Sequence, residues 1–276
     1  NAGRVFRISD GAVVSLSGMT LRDGRIGANA NDVFGGGIWV TDSTLSLTNM
    51  VLQNNTARFS GTNPTITLGF GGAIALYNSV LSVTTSRISN NNGHTFGGIY
   101  STNGIVSVIS STIASNTGIG LAGDSDDTIN VATSTISSNG TGVSGSFNSR
   151  ISINDSQILN NELGISSSGG SLQVDRSLIE SNCCSGGIVN RGTATVRRTR
   201  IRNNRQSSFP LPSGGGIYND GTFNLVDSTL NGNSSTVSGA GIYNTGRLFL
   251  TNSTISGNNV STGRGGGLFN NLNGYA

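Results

Sequence analysis

The feature that most constrains this chain is an aliphatic-x-x-Asn motif that recurs ten times along its 276 residues. Successive motif Asn residues are separated by 36, 25, 23, 22, 21, 22, 29 and 25 positions. A near-constant period with occasional insertions is typical of a solenoid, in which each repeat stacks on its neighbours. The ten instances are Leu21–Gly24 (Gly replaces Asn), Leu52–Asn55, Ile88–Asn91, Ile113–Asn116, Ile136–Asn139, Ile158–Asn161, Ile179–Asn182, Ile201–Asn204, Leu230–Asn233 and Ile255–Asn258.

Each repeat has the pattern of short β-strands. In the last complete repeat, Leu248 and Leu250 alternate with polar or exposed positions, which is the two-residue period of a strand. Ile255 lies in a second short strand, and the glycines at 265–267 begin a third. Three strands per turn of about 22 residues predict an all-β fold, a right-handed parallel β-helix of about ten coils. We expect residues 1–276 to form one such domain, as a segment of a longer chain.

Stacking of the coils would place equivalent residues in columns. We expect the nine motif Asn side chains to form a hydrogen-bonded ladder, with a structural rather than a functional role. The predicted inward column of one strand is Leu16, Leu47, Val83, Val108, Val131, Ile153, Val174, Val196, Leu225 and Leu250. A hydroxyl column beside it is Ser86, Ser111, Ser134, Ser156, Ser177, Thr199, Ser228 and Ser253.

Composition excludes some classes of function. Charged residues make up 11% of the chain, against about 25% in a typical soluble domain, so Ser, Thr and Asn must supply most of the polarity. All sixteen basic residues are Arg, the net charge is only +3, and no nucleic-acid-binding motif is present, so we expect no nucleic acid partner. No apolar stretch is long enough to span a bilayer. The Lys-free, two-Cys composition favours an extracellular or bacterial cell-surface protein.

The repeats resemble those of bacterial surface proteins. Gly71–Ile74, Gly214–Ile217 and the aliphatic-x-x-Asn motifs are similar to the repeats of chlamydial polymorphic outer-membrane proteins. They resemble more closely the repeats of large bacterial cell-surface and secreted proteins, because aliphatic residues replace the Phe of the chlamydial motif throughout. The resemblance covers nearly the whole chain and implies a β-helix. It does not imply one function, because this fold carries adhesins, passenger domains, lyases and epimerases.

Loop lengths predict a groove. From each turn position to the next inward aliphatic residue, the separations are 14, 19 and 8, then 3, 4, 4 and 6, then 13, 9 and 10 residues. Long loops at both ends would flank a floor made by coils four to seven, although insertions at a tolerant turn need have no purpose. The aromatic residues of these loops, expected either to pack the loops or to stack on sugar rings, are Phe34, Phe59, Phe70, Phe96 and Phe209. A further column, Tyr218, Tyr243 and Phe269, predicts a self-stacking aromatic ladder.

Charged residues concentrate between positions 175 and 205. The repeat places Asp155, Arg176, Arg198 and Asp227 in one column and Glu180 beside Arg202, so we expect ion pairs across coils. The arginines outnumber these acids and form a stripe that suits the carboxylates or sulfates of an acidic polysaccharide, the alternative being a solvated, paired face. The stripe consists of Arg197, Arg198, Arg200, Arg202 and Arg205. The candidate ligand-binding residues are three of these arginines and three phenylalanines of the loops: Arg197, Arg200, Arg202, Phe59, Phe96 and Phe209.

An enzyme is the rival hypothesis for the same region. Polysaccharide lyases on this fold use an Arg or Lys base and acidic residues that hold Ca²⁺. The residues that would supply these parts are Asp155, Asp175, Glu180, Arg176 and Arg198. Their surroundings do not match pectate lyase signatures, and Asp155 and Asp175 are placed one coil apart rather than on opposite sides of a glycosidic bond.

Three other groups could carry chemistry. Asp124, Asp126 and Asp127 form the only dense acidic loop and a weak candidate Ca²⁺ site, although their spacing fits no complete calcium motif. We expect no other cofactor, because His94 is the sole His and excludes a multi-His zinc site. The adjacent Cys183 and Cys184 could form a vicinal disulfide, stay free or pair with another chain.

These observations favour a non-catalytic extracellular module, structural or adhesive, that binds glycans through loops flanking the central groove. The alternative is a polysaccharide lyase or glycoside hydrolase acting on an acidic polysaccharide. A further alternative is an assembly subunit that polymerises through uncapped ends, since a solenoid must cover its terminal strand edges by flanking domains or by self-association.

Overall fold

A computed structural model describes residues 3–27, 33–58, 69–207 and 214–271 of the protein. The described residues form an all-β parallel solenoid with three main strands per coil and no helix, which confirms the predicted fold. The strands are numbered β1 to β38 in chain order. The chain divides into two compact units, unit 1 (Asn1–Val143) and unit 2 (Ser144–Ala276), with the division inside β19 (Thr141–Gly145).

Unit 1 contains four sheets, and each strand pairs in parallel with its counterpart on the next coil. The first sheet comprises β1 (Phe6–Ile8), β5 (Ile38–Thr41), β9 (Ile74–Tyr77), β13 (Ile99–Thr102) and β16 (Ile119–Gly123). The second comprises β2 (Val13–Ser17), β6 (Thr44–Thr48), β10 (Val80–Thr84), β14 (Ile105–Ile109) and β17 (Thr128–Ala132). The third comprises β3 (Thr20–Arg22), β7 (Val51–Gln53), β11 (Arg87–Ser89), β15 (Thr112–Ala114) and β18 (Thr135–Ser137), and the fourth β4 (Arg25–Gly27), β8 (Thr56–Arg58) and β12 (Asn92–Gly93).

Unit 2 repeats this arrangement. Its first sheet comprises β22 (Leu163–Ser167), β26 (Gly186–Asn190), β30 (Ile217–Asn219), β34 (Ile242–Asn244) and β38 (Leu268–Asn270). The second comprises β20 (Arg150–Asn154), β23 (Ser171–Asp175), β27 (Thr193–Arg197), β31 (Thr222–Val226) and β35 (Arg247–Thr251). The third comprises β21 (Gln157–Leu159), β24 (Leu178–Glu180), β28 (Arg200–Arg202), β32 (Thr229–Asn231) and β36 (Thr254–Ser256), and the fourth β25 (Cys183–Cys184), β29 (Arg205–Gln206), β33 (Ser234–Ser235) and β37 (Asn259–Val260). Five second-sheet strands in each unit agree with the prediction of about ten coils.

The core lies inside the coils and follows the predicted columns. Val83 and Val108 of unit 1 and Val196 and Leu225 of unit 2 are fully buried, and their strands are in register. Full burial of such a side chain contributes about 1.5–3 kcal/mol. The prediction was wrong for Leu250, which is 42% exposed. Among the described strands β35 pairs only with β31, so no neighbouring coil covers the other side of Leu250.

The corners between strands are single residues with positive φ. The corner after each second-sheet strand is Gly18, Asn49, Thr85, Ser110 or Thr133 in unit 1 and Asp155, Arg176, Arg198, Asp227 or Asn252 in unit 2. Asn and Asp tolerate this left-handed conformation, whereas most other side chains pay about 1–2 kcal/mol for it. Arg176 (φ 46) and Arg198 (φ 47) therefore hold an unfavourable backbone conformation at equivalent corners of adjacent coils.

The motif Asn side chains form the predicted buried ladder. In unit 1, the backbone N–H and the side-chain amide of Asn55 both donate to Asn91 Oδ1, at 2.9 and 3.0 Å. The Asn91 amide in turn donates to Asn116 Oδ1 at 2.9 Å and to the Leu52 carbonyl at 3.0 Å. Unit 2 has the same ladder from Asn161 to Asn258. The amides satisfy buried backbone groups at a corner where no strand ladder can reach them.

Aromatic and polar ladders run beside it. Tyr218, Tyr243 and Phe269 stack with centroid separations of 5.8 and 5.2 Å, which confirms the predicted aromatic column. A second amide ladder in unit 2, absent from the sequence predictions, joins the ends of first-sheet strands. Its members are Asn190, Asn219, Asn244 and Asn270, linked at 2.8, 2.7 and 2.6 Å.

Truncation of one motif Asn tests this ladder. Asn233 is fully buried, and its Oδ1 accepts both the backbone N–H and the side-chain amide of Asn204. Asn233→Ala leaves these two donors without an acceptor, so we expect the free energy of unfolding to fall by about 3 kcal/mol or more. Asn231→Ala, two residues away at a half-buried outward position, should cost less than about 0.5 kcal/mol. Chemical denaturation measures both variants. Equal losses of unfolding free energy would show that the buried Asn ladder stabilises the fold no more than an outward Asn does.

Candidate functional site

The candidate site lies in unit 2 at the corner between the second and third sheets. Asn154, Asp175 and Arg197 are in register at the ends of adjacent second-sheet strands. The next residue of each coil, Asp155, Arg176 or Arg198, is the corner residue with positive φ. The solenoid register thus brings three acidic or amide groups and three arginines, with regular spacing, to one edge of the sheet.

The charges at this edge form a continuous chain of ion pairs. Arg176 donates hydrogen bonds from Nε and Nη2 to the two oxygens of Asp155, both at 2.7 Å, and from Nη1 to Asp175 Oδ2 at 2.5 Å. Arg198 donates hydrogen bonds from Nε and Nη2 to the two oxygens of Asp175, at 2.8 and 2.5 Å. Such two-point Arg–carboxylate pairs are the most specific ion pairs in proteins. The predicted pairing of Asp155 with Arg176 across coils is confirmed, whereas the contacts of Arg176 and Arg198 with Asp175 were not predicted.

Two details differ from or extend the predicted charge pattern. Asp227 shares the column but does not pair with Arg198, because Arg198 leans back to Asp175. Asp227 instead accepts a hydrogen bond from the Asn252 side chain at 2.6 Å. Glu180 and Arg202 do form the predicted pair, with Nε and Oε1 2.9 Å apart.

The neighbouring Arg176 favours the ionised form of Asp155. The hydrogen bond from Arg176, and then its charge, lower the pKa of Asp155 below its ordinary value. The same contact raises the pKa of the Arg176 guanidinium. Because the folded pKa of Asp155 is the lower one, its stabilising contribution is present above the unfolded pKa and is lost as the pH falls through the folded value.

A surface cavity of about 250 Å³ opens beside the ion-pair chain. It is lined by Asn154, Gln173, Val174, Asp175, Thr195, Arg197 and Arg198. The Arg197 side chain is exposed, and its guanidinium makes no ion pair or hydrogen bond to any residue that the structure describes. Its register neighbour Asp175 is held instead by Arg176 and Arg198, which donate three hydrogen bonds to the two Asp175 oxygens. The cavity therefore combines a free guanidinium with neutral hydroxyl and amide groups.

The predicted arginine stripe runs around one coil rather than along the solenoid. Arg197 ends a second-sheet strand, Arg200 begins a third-sheet strand and Arg205 begins a fourth-sheet strand. Because the coil turns a corner between these strands, the three side chains do not share a surface. Arg202 is paired with Glu180. Of the candidate ligand-binding arginines, only Arg197 belongs to the cavity.

The aromatic candidates divide in the same way. Phe96 packs against Phe70 and Tyr100, with centroid separations of 5.4 and 4.8 Å, so its ring faces neighbouring rings. Phe59 and Phe209 lie outside the described residues, as do parts of the loops expected to wall a groove, which stays a prediction. Phe249, whose side chain is 54% exposed, was not among the aromatic candidates predicted from the sequence. Its place between Leu248 and Leu250 gave the signal for an outward side chain.

The acidic loop of unit 1 has a structural arrangement. Asp127 is fully buried, and its carboxylate accepts hydrogen bonds from the Ser101 hydroxyl and the backbone N–H groups of Gly104 and Asp124. Burial raises its pKa, and these hydrogen bonds oppose the shift. Asp124 accepts from the Tyr100 hydroxyl at 3.1 Å, and Asp126 is a corner residue. The arrangement gives the calcium hypothesis no support, and no group of three potential metal ligands occurs among the described residues.

Two further features of the described chain bear on the sequence predictions. Cys183 and Cys184 are free, with their sulfur atoms 3.1 Å apart. The contact with Cys184, followed by burial, raises the pKa of Cys183. No helix in the described ranges is long and apolar enough to cross a membrane.

Removal of the central carboxylate tests the ion-pair chain. Asp175→Asn breaks two Arg contacts at once and should lower the free energy of unfolding by about 1 kcal/mol at low salt. Asp227→Asn removes an acid that lies in the adjacent corner column and contacts no arginine among the described residues, so we expect a change below about 0.5 kcal/mol. Chemical denaturation at low and high salt measures both, and a salt-independent Asp175→Asn effect would contradict the electrostatic account.

Comparison with known proteins identifies no family for this chain. No family model matches the chain, and no curated protein matches it. Among solved structures, it is similar to PfbA, a surface adhesin of Streptococcus pneumoniae, with 12% identity, a TM-score of 0.43 and coverage of 98% of this chain and 71% of that one. It is also similar to the A-module of the Azotobacter vinelandii mannuronan C-5 epimerase AlgE6, with 11% identity, a TM-score of 0.27 and coverage of 95% and 91%. At this identity the likeness concerns the fold alone.

Proposed function

We propose that this protein is a non-catalytic module of the cell exterior that binds an acidic glycan on the second-sheet face of unit 2. The observation that carries the proposal is the free guanidinium of Arg197, which lines a polar cavity whose only carboxylate is held by other arginines. A guanidinium has five N–H donors and no acceptor, and its planar fork matches a carboxylate or sulfate. A uronate or sulfated sugar would complete the hydrogen bonding of Arg197.

A row of neutral polar side chains extends the cavity across the strands. The middle outward residues of the five second-sheet strands in unit 2 are Ser152, Gln173, Thr195, Asn224 and Phe249. Adjacent strands are about 4.8 Å apart, so an extended chain laid across them meets a new side chain at each coil. Amides and hydroxyls both donate and accept hydrogen bonds, as sugar hydroxyls do. The exposed ring of Phe249 ends the row with an apolar surface on which a sugar ring can stack.

The charge of unit 2 favours an anionic ligand. Its sequence contains ten Arg and six acidic residues, whereas unit 1 contains six Arg and seven Asp. The surplus of unit 2 is therefore four positive charges. Such a field attracts a polyanion and raises its rate of association, and the effect weakens with salt.

The state of the acids supports binding rather than catalysis. General acid–base work needs a carboxyl group whose pKa is tuned towards the operating pH and that can reach the substrate. Asp155 and Asp175 each lie in two-point contacts with arginine, and Glu180 pairs with Arg202. The pKa of Asp155 is moved down, away from neutral pH. A lyase or glycosidase at this edge would have to break these pairs first.

Extracellular placement is part of the proposal. The chain has no Lys and only two Cys, and its polarity comes mainly from Ser, Thr and Asn. Cys183 and Cys184 are adjacent in sequence and lie at the solenoid surface, so the solenoid core does not depend on a disulfide between distant segments. A rigid solenoid that displays one cationic face suits the adhesive or structural role of a surface module.

Binding to defined glycans tests the proposal. Calorimetry with an oligouronate, a sulfated oligosaccharide and a neutral oligosaccharide should detect binding of the first two, with an affinity that falls as salt increases. Arg197→Gln removes one charge-assisted contact and should weaken binding at least about tenfold. Arg264→Gln removes the same charge from another loop of unit 2 and should change the affinity less than about twofold by loss of net charge alone. Equal effects of the two variants would place the ligand elsewhere.

A turnover assay separates binding from catalysis. The protein is incubated with the same glycans, with and without Ca²⁺, and unsaturated products and new reducing ends are measured. We expect no turnover. Turnover that disappears in Asp175→Ala would make the lyase or glycosidase hypothesis correct.

A further inference from the structure

A second cationic cavity lies in unit 1, on the short fourth sheet. This sheet places Arg25, Thr56 and Asn92 in one register column. Gly27 and Arg58 are in register with each other two strand positions further along. These five residues line a cavity of about 260 Å³. It lies on a different sheet from the face considered above, and its residues were not among the candidates from sequence.

The two arginines stand close enough to share one ligand. Arg25 and Arg58 are one coil and two strand positions apart, which puts their Cα atoms about 8 Å from each other. Gly27, beside Arg58 in register, carries no side chain to fill the space between them. A Cβ at Gly27 would meet the Arg58 carbonyl oxygen at 2.9 Å, so glycine also keeps the strands in close contact.

Neither guanidinium is neutralised by the described chain. Arg25 and Arg58 are exposed, and within the described ranges neither makes an ion pair or a side-chain hydrogen bond. Asp23, two residues before Arg25, faces Arg22 instead, with Nε and Oδ2 3.6 Å apart. The described residues that line the cavity include no carboxylate. Two like charges that share a cavity repel each other unless an anion lies between them.

The remaining lining groups are also donors. The Asn92 side-chain oxygen accepts a hydrogen bond from the Thr117 hydroxyl at 3.1 Å, which leaves its NH₂ group for a ligand. The Thr56 hydroxyl can donate as well. With two N–H groups from each guanidinium, the cavity offers about six donors, more than the roughly four lone-pair positions of a carboxylate. A tetrahedral oxyanion, with more oxygens and a wider spread of directions, matches this set better.

We propose that Arg25, Arg58, Thr56 and Asn92 form a binding site for a tetrahedral oxyanion, a sulfate or phosphate group. The same chemistry is presented by a sulfate ester of a polysaccharide and by a phosphate diester of a phosphate-rich polymer. This site does not depend on the proposed function of unit 2. It makes the protein an anion binder at two separate surfaces with different ligand geometries.

Nuclear magnetic resonance of the arginine side chains tests the site. Titration of the whole chain with inorganic sulfate, and separately with inorganic phosphate, should shift the Nε–H resonances of Arg25 and Arg58 along one saturable curve. Arg25→Gln or Arg58→Gln should weaken the affinity at least tenfold, and the double variant should abolish saturation. Acetate should bind at least tenfold more weakly than sulfate.

The control is Arg22→Gln, which removes an equal charge from the same unit at an arginine already beside an acid. It should leave the sulfate affinity, measured from the signals of Arg25 and Arg58, within twofold of the parent protein. A sulfated oligosaccharide and a phosphodiester oligomer then distinguish the two sources by their affinities for the parent protein. The proposal is overturned if Arg25 and Arg58 do not shift, if Arg22→Gln weakens binding as much as Arg58→Gln, or if acetate binds as well as sulfate.

Discussion

The buried hydrogen bonds of the motif Asn side chains are the constraint on which the rest of the structure depends. The Asn91 side chain accepts from Asn55 of one neighbouring coil and donates to Asn116 of the other, so each amide fixes the register of two coils at once. An Asn shifted by one position would leave buried donors unsatisfied, at a cost comparable with a large part of a domain's net stability. Within each unit, every outward column therefore has a defined order along the sheet.

The chemistry of the candidate site follows from that register. Asp155, Arg176 and Arg198 are corner residues of successive coils, so one acidic and two basic side chains lie along one line. Arg176 and Arg198 both pair with Asp175, whereas Arg197 makes no ion pair among the described residues although Asp175 is its register neighbour. The ion pairs thus do not neutralise the charge of Arg197. They leave the guanidinium of Arg197 for the proposed ligand, and the paired carboxylates would have to lose an arginine contact before they could act as an acid or a base.

Several contacts between residues in equivalent positions of neighbouring coils were predicted from the sequence alone. The Asn spacing placed Arg176 beside Asp155 and Tyr218 beside Tyr243, and both contacts are present. It did not predict the direction in which a side chain leans, so the preference of Arg198 for Asp175 over Asp227 needed the structure. It also treated the closely spaced arginines as one surface, although a corner separates Arg197 from Arg200. The cavity of Arg25 and Arg58 was missed because the fourth strand falls just before variable insertions, where no motif marks the register.

The proposed site has one unpaired guanidinium, that of Arg197, beside the ion-paired guanidinium groups of Arg176 and Arg198. The NMR signals of the arginine side chains test this difference most directly. An oligouronate should be titrated into the protein while the Nε–H signals of Arg176, Arg197 and Arg198 are followed. We predict a saturable shift of Arg197, with the signals of Arg176 and Arg198 retained in their ion-paired positions. A shift of Arg176 and Arg198 with loss of their pairing, or no response at Arg197, would contradict the account.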